Sequence, residues 1–251
     1  MRLVGLTGGI ATGKSTASTH LHTSHHLPII DADLLARHVV QPSQPAFHTI
    51  LHTFGAANVL DLQQTPPQLD RAKLAALIFA NPDARKKLNA ITHPPIRIEM
   101  LRGVLRAFLQ GSALCVLDTP LLFEAGLYRV VSCVIVVACS TQTQLSRLMQ
   151  RDSCTRDAAQ ARIDSQMSMD EKRARADIVI ENEGSLEDTR AQLDAAVNAV
   201  MPSAWETLFW RVCLTPLAFV LYGGLTAYVK LREMMVPSTS VVSMEKERKE
   251  L

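Results

Sequence analysis

The sequence predicts an α/β fold: a parallel five-stranded sheet with helices on both faces, a further helical region, a lid-like segment and a C-terminal apolar helix. Three observations point there. Short apolar runs alternate with longer helical stretches, the order of a parallel sheet built through right-handed crossovers. The first apolar run feeds straight into a glycine-rich turn. A later run, Val130–Ala138, is almost continuously β-branched, as suits a strand covered on both faces.

In chain order, Arg2–Thr7 is the first strand and a helix follows from about Gly13 to Ser24. The second strand, Leu27–Ile30, runs into Asp31–Ala32–Asp33. Helical patterns fill about Ala46–Phe54, Asp70–Phe79, Pro82–Asn89 and Pro95–Leu109, with Pro66–Pro67 as a break. Ala113–Leu117 is the third strand and Val130–Ala138 the fourth. Thr141–Arg151 and Asp157–Gln166 read as helices, Asp177–Ile180 as the fifth strand and Ser185–Val200 as a closing helix.

The 251 residues suffice for one sizeable α/β domain and something smaller. A net charge of +2 and an aromatic content of 5% argue against a nucleic-acid binder. The cysteines Cys115, Cys133, Cys139, Cys154 and Cys213 form no CxxC pair and read as reduced thiols, mostly core filler, in a cytosol-facing compartment. Because the chain opens on a strand, a secretory signal or transit peptide is not expected at that end.

Composition shifts at Pro202. Val212–Val229 carries no charged residue, and as a helix this stretch would be roughly 27 Å long, near the ~30 Å hydrocarbon core of a bilayer. Trp205, Trp210, Tyr222 and Tyr228 lie in or beside it, and Arg211, Lys230 and Arg232 flank it, as at membrane interfaces. Residues 201–251 are therefore expected to form an extension with a transmembrane helix over about 208–229. A helix docked on the preceding domain of a soluble cytoplasmic protein is the alternative.

Gly8–Gly9–Ile10–Ala11–Thr12–Gly13–Lys14–Ser15 matches GxxxxGK[ST] in full, with Thr16 following, between an apolar strand and a helix-forming stretch. Glycines let backbone N–H groups turn inward, and the helix N-terminus adds positive charge where phosphates would lie. Lys14 can reach β- and γ-phosphates, and the Ser15 hydroxyl can ligate Mg²⁺. The fold is thus of the P-loop NTPase type, its loop a site for nucleotide phosphates, with a small-molecule kinase favoured. A regulatory GTPase would need NKxD and DxxG segments, and neither occurs; Asp118–Thr119–Pro120–Leu121 lacks the glycine of the latter.

Asp31 and Asp33 follow the second strand, at the sheet edge where α/β proteins bind ligands. Asp33 is the better candidate to accept a proton from an attacking hydroxyl, and Asp31 a helix cap or a support for metal. Asp118 ends the third strand, as an acid near Mg²⁺ or as a cap. Arg147 and Arg151 lie four apart on a helix leading into a polar segment, where guanidinium groups could meet the charge of a phosphoryl in transfer. His20, His22, His25 and His26 have no acidic or cysteine neighbour in sequence and read as a solvated helix end.

Several segments, in shared order and spacing, resemble the dephospho-coenzyme A kinase family over about residues 3–200. They are Val4–Thr16, Ile29–Val40, Leu69–Phe79, Leu88–Arg97, Val116–Glu124, Leu145–Asp152, Arg162–Met167 and Ala176–Gly184. The family loop usually has glycine where this chain has Ala11 and serine where it has Thr12, so Ala11 must take a conformation open to a Cβ. The resemblance implies a nucleotide-binding core, a helical substrate domain at about 38–112 and a lid at about 148–168. It implies phosphorylation of the ribose 3′-hydroxyl of dephospho-CoA by ATP. Gly8–Thr16 would hold ATP and Mg²⁺, Asp33 would be the base, and Arg147 or Arg151 the lid arginine. Arg37, His93 and Arg97 are expected near the CoA precursor and Asn182–Gly184 near adenine. The apolar extension resembles those of eukaryotic, especially fungal, members. It implies a cytosol-facing protein on the endoplasmic reticulum or mitochondrial outer membrane, with other CoA-pathway enzymes as candidate partners.

Overall fold

The computed structural model describes residues 1–61 and 67–235. Along the chain run β1 (Arg2–Gly8), α1 (Lys14–His25), β2 (Ile29–Asp31), α2 (Ala32–His38), α3 (Pro45–Phe54), α4 (Ala56–Val59), β3 (Leu60–Asp61), β4 (Gln68–Leu69), α5 (Arg71–Ala80) and α6 (Pro82–Leu109). After them come β5 (Leu114–Asp118), a 3-10 turn at Leu127–Arg129, β6 (Cys133–Ala138), α7 (Thr141–Asp152), α8 (Arg156–Asp164), α9 (Met169–Ala174), β7 (Ile178–Glu181), α10 (Leu186–Val200) and α11 (Ala204–Met234). The chain divides into two compact units, one of Met1–Asp31 with Val104–Ala218, the other of Ala32–Gly103 with the chain from Phe219 on.

The first unit contains the five-stranded sheet in the order β2-β5-β1-β6-β7, with every pair parallel. Side chains alternate across a strand, so Val4 and Leu6, Leu114 and Val116, and Ile135 and Val137 share one face. They are buried against Ala17 and Leu21 of α1 and Leu193, Ala196 and Val197 of α10. Truncating one such leucine to alanine costs about 2–5 kcal/mol. On the opposite face Leu122 packs so near Gly5 that a Cβ there would lie 2.7 Å from Leu122 Cδ2. Ser140, Thr155, Ser168 and Ser185 cap α7 to α10 through side-chain oxygens, and Asp188 completes a capping box with Ser185.

The second unit packs Ile50, Val59 and Leu88 as its centre, with Leu69, Leu74 and Ile91 against them. Asp70 caps α5 by accepting from the N–H groups of Ala72 and Lys73. The antiparallel pair β3–β4 is too short to carry a sequence pattern.

Three expectations change. The two helices expected around Pro94–Pro95 are one, α6, with both prolines inside it. Each proline removes one N–H and crowds the carbonyl four residues back. That affects only Ala90 and Ile91, while buried Ala84, Leu88 and Met100 keep both halves packed. The fourth strand begins at Cys133, because Val130 closes the 3-10 turn and points into solvent. Helix α9 had no sequence signal beyond its cap. Pro67 does lie outside regular structure, and Pro66 lies outside the described residues.

Candidate active site

The register Leu6↔Asp118 and Asp31↔Asp118 sets both carboxylates at the C-terminal edge of the sheet, beside the strand that opens into the glycine loop. Helix α1 has Gly13, at φ 92°, as its N-cap, and has no side-chain cap and no acidic residue in its first turn. Its leading N–H groups therefore lack the side-chain partner that α7 to α10 possess, and an anion can satisfy them. At Gly13 the left-handed backbone and the lack of space both require glycine, since a Cβ would meet Asn182 Nδ2 at 2.1 Å. Ala11, at φ 59°, occupies the small left-handed region that a Cβ tolerates at a cost of about 1–2 kcal/mol.

The loop is braced from several sides. The buried Thr12 hydroxyl donates to the Gly9 carbonyl at 2.9 Å, so it stiffens the turn. Asn182 Nδ2 donates to the Thr12 carbonyl at 2.8 Å, and Asn182 Oδ1 accepts from Thr189 at 2.9 Å. The amide expected beside adenine thus acts on the loop itself. Gln144 Nε2 donates to the Ile10 carbonyl at 2.8 Å, and the Ile10 N–H donates to Gln166 Oε1 at 3.0 Å. Lys172, with no exposed surface, donates to the Pro120 carbonyl at 2.9 Å and the Gly8 carbonyl at 3.4 Å, with Glu124 Oε1 at 3.5 Å. Burial lowers its pKa, and Glu124 opposes that shift.

Lys14 makes an ion pair with Asp118, whose side chain is 3% exposed. Burial raises the Asp118 pKa, the Lys14 charge and hydrogen bond pull it down, and Asp31 pushes it up again. Ser15 follows Lys14 in the first turn of α1, so hydroxyl and carboxylate oxygens of this unit make up the hard donor set that Mg²⁺ prefers.

Arg147 Nη2 donates to the Asn182 carbonyl at 3.0 Å, while its buried Nη1 has no hydrogen-bond partner among the described residues. Arg151 turns to Asp152, with Nε 2.8 Å from Oδ1, and Arg162 reaches the same carboxylate at 2.7 Å. Arg151 and Arg162, in the region of the expected lid, therefore neutralise its own acid. In the second unit, Asp33 and Arg37 lie one helical turn apart on α2, and His93 and Arg97 one turn apart on α6; all four are exposed.

The histidines correct an expectation. His20 Nε2 and His25 Nε2 lie 2.7 and 2.6 Å from Asp194 Oδ1, an acid supplied by α10, so this helix end is held and not simply solvated. Those hydrogen bonds depress the Asp194 pKa, that from His25 most. Donors around zinc at about 2.0–2.1 Å stand roughly 3.3 Å apart, so these contacts are too close to enclose an ion. Burial also raises the Cys115 thiol to about 12 and that of Cys139 to about 11, which makes both unreactive filler.

Sequence reasoning missed Gln144, Gln166 and Lys172 as supports of the loop. Gln144 lies on α7, Gln166 in the turn after α8 and Lys172 on α9, and nothing local to any of them in sequence marks a contact with the loop.

The family model described as dephospho-CoA kinase matches residues 2–188. A dephospho-CoA kinase domain-containing protein of Danio rerio is 47% identical over 194 residues, 77% of this chain and 82% of its own length. A dephospho-CoA kinase of Geobacillus kaustophilus is 47% identical over 205 residues, 82% of this chain and 97% of its own. The solved dephospho-CoA kinase of Campylobacter jejuni aligns with a TM-score of 0.59 at 31% identity, covering 79% of this chain and 96% of that one. With the glycine loop, its lysine–aspartate pair and the parallel sheet beneath them, these likenesses identify the chain as a member of the dephospho-CoA kinase family.

Proposed function

We propose that the chain transfers the γ-phosphoryl group of ATP to the ribose 3′-hydroxyl of dephospho-CoA, giving CoA and ADP in the last step of coenzyme A synthesis. The observation that carries this reading is the pairing of Lys14 with the buried Asp118 beside an uncapped glycine loop. Backbone N–H groups of Gly8–Thr16 hold the phosphates, and Lys14 leaves Asp118 for the β- and γ-oxygens, which carry more negative charge than one carboxylate. Mg²⁺, when bound at the Ser15 hydroxyl with Asp31 or Asp118 nearby, supplies charge neutralisation between those phosphates. Asp33 takes the proton of the acceptor hydroxyl and aligns it for attack. Arg147, with one Nη free of protein partners among the described residues, meets the charge that spreads over the phosphoryl oxygens, and Arg151 joins it on leaving Asp152. Arg37, His93 and Arg97 bind the CoA precursor, and Asn182 holds the shape of the loop that takes the ATP phosphates.

A coupled assay with purified dephospho-CoA tests this. ADP should appear only when dephospho-CoA is present, with CoA as product. Turnover with a nucleoside monophosphate, and none with dephospho-CoA, would assign the chain another acceptor.

We also propose that α11 attaches the chain to a membrane facing the cytosol, of the endoplasmic reticulum or the mitochondrial outer membrane, near other CoA-pathway enzymes. Support comes from its 31 residues, its mean hydropathy of 1.7 over the most apolar window and the 6% of that window buried by protein. The sequence-based reading of residues 208–229 as a transmembrane helix is one form of that attachment.

A further inference from the structure

The last turns of α11 belong to the second unit, and protein holds them there. Tyr228, Val229, Arg232 and Glu233 form one wall of a small cavity whose opposite wall includes Val39, Gln44, Pro45, Pro95 and Ile98. Gln44 Nε2 donates to Glu233 Oε1 at 3.3 Å. The partly buried residues of this half of the helix are Tyr222, Leu225, Thr226, Val229, Arg232 and Glu233. Their spacing of three and four makes a single stripe. A helix crossing a bilayer would carry its last turns to the far side of the hydrocarbon, away from the residues that line this cavity.

The six most exposed large apolar residues of the helix have their own order, with the less exposed Leu208, Leu217 and Leu231 outside it. At 100° per residue, Trp205, Phe209, Val212, Phe219, Val220 and Met234 all project within one sector about 100° wide. Each keeps more than half of its surface exposed, from 59% at Phe209 to 81% at Trp205. This sector runs the whole length of the helix, as in a helix that lies in the interface plane. Lys230, exposed in the same sector, is long enough to keep its ammonium among headgroups while its stem lies along the apolar face. Trp205 at the start of this sector and Lys230 near its end fit a lipid surface better than a second copy of the chain, which would have to bury that charge.

We infer that α11 lies in the plane of a lipid surface, its last turns docked on the second unit and its Trp205–Met234 sector immersed, and does not cross the bilayer. This rests on the membrane attachment proposed above. The test uses the full chain with an epitope tag after Leu251, expressed in cells from which sealed membranes are prepared and treated with protease. The expected result is that the chain pellets with the membranes and that protease removes tag and kinase domain alike without detergent. A tag protected until detergent is added, beside a digested kinase domain, overturns the in-plane helix while leaving attachment intact. Recovery of the chain in the soluble fraction overturns attachment, and the inference with it.

Discussion

Around the glycine loop Thr12, Asp118, Gln144 and Lys172 are buried, whereas Asp33, Arg37, His93 and Arg97 are exposed on α2 and α6. Lys14 and Asp118 are 15% and 3% exposed and paired; Thr12, Asn182, Gln144 and Lys172 all bind loop carbonyls. The triphosphate end of a nucleotide is always the same, so its site can be rigid and desolvated in advance, where fixed dipoles act strongly. On the function proposed above, the exposed group faces the acceptor, which carries its own bulk. Substitutions at the two regions should therefore fail differently: loss of loop geometry or stability at one, loss of turnover or acceptor affinity at the other.

The largest effect is expected on the acceptor side. Asp33→Asn should lower kcat by about 10²–10⁴-fold, the usual worth of a general base, while calorimetry finds Mg·ATP affinity unchanged. An unchanged kcat would remove Asp33 from the chemistry and leave the exposed group with binding alone.

Lys14→Ala tests the buried region through pH. It leaves Asp118 buried without its cation, which costs about 3–5 kcal/mol if the carboxylate stays charged. Burial has already raised the Asp118 pKa, and loss of Lys14 removes the main opposing influence. A carboxyl whose folded pKa lies above its unfolded value binds more protons when folded, so stability falls as pH rises between those two values. Denaturant unfolding should find the variant close to wild type at pH below the ordinary carboxylate range and increasingly destabilised above it. A pH-independent deficit would mean that Asp118 is not the group left behind.

Gly13→Ala should cost roughly 1–2 kcal/mol from the left-handed backbone alone, with more from the Asn182 clash, and weaken Mg·ATP binding. Double substitution with Asn182→Ala should recover part of the loss, the part due to space and not to φ. The mildest outcome is predicted for Arg97→Ala: a KM for dephospho-CoA raised about tenfold, near 1.4 kcal/mol, with the KM for ATP unmoved. If Arg97→Ala destabilised the fold instead, the contrast between the two regions would fail.

Much of the fold was legible because its signals are local. Strand–glycine–helix spacing identified the phosphate loop, β-branched runs marked the sheet, and Ser185 and Asp70 announced helix starts through their own side chains. Proline misled for a related reason: locally it opposes a helix, but packing on both sides of Pro94–Pro95 carried α6 through. An uncharged apolar stretch with aromatic and basic flanks pointed to a membrane helix at α11, while its docked stripe depended on residues far away in sequence.

By itself, then, the sequence determined the parallel α/β order, the nucleotide loop with Lys14 and Ser15, and the acid-bearing ends of the strands, all properties of neighbouring residues. Only the tertiary structure decided that Asn182, 170 positions from Thr12, would fill the space behind Gly13, that Lys172 would brace Gly8, and that Asp194 would hold His20 and His25. Such contacts depend on which helix a sheet edge brings alongside which loop, and desolvation makes them consequential only once the chain has packed.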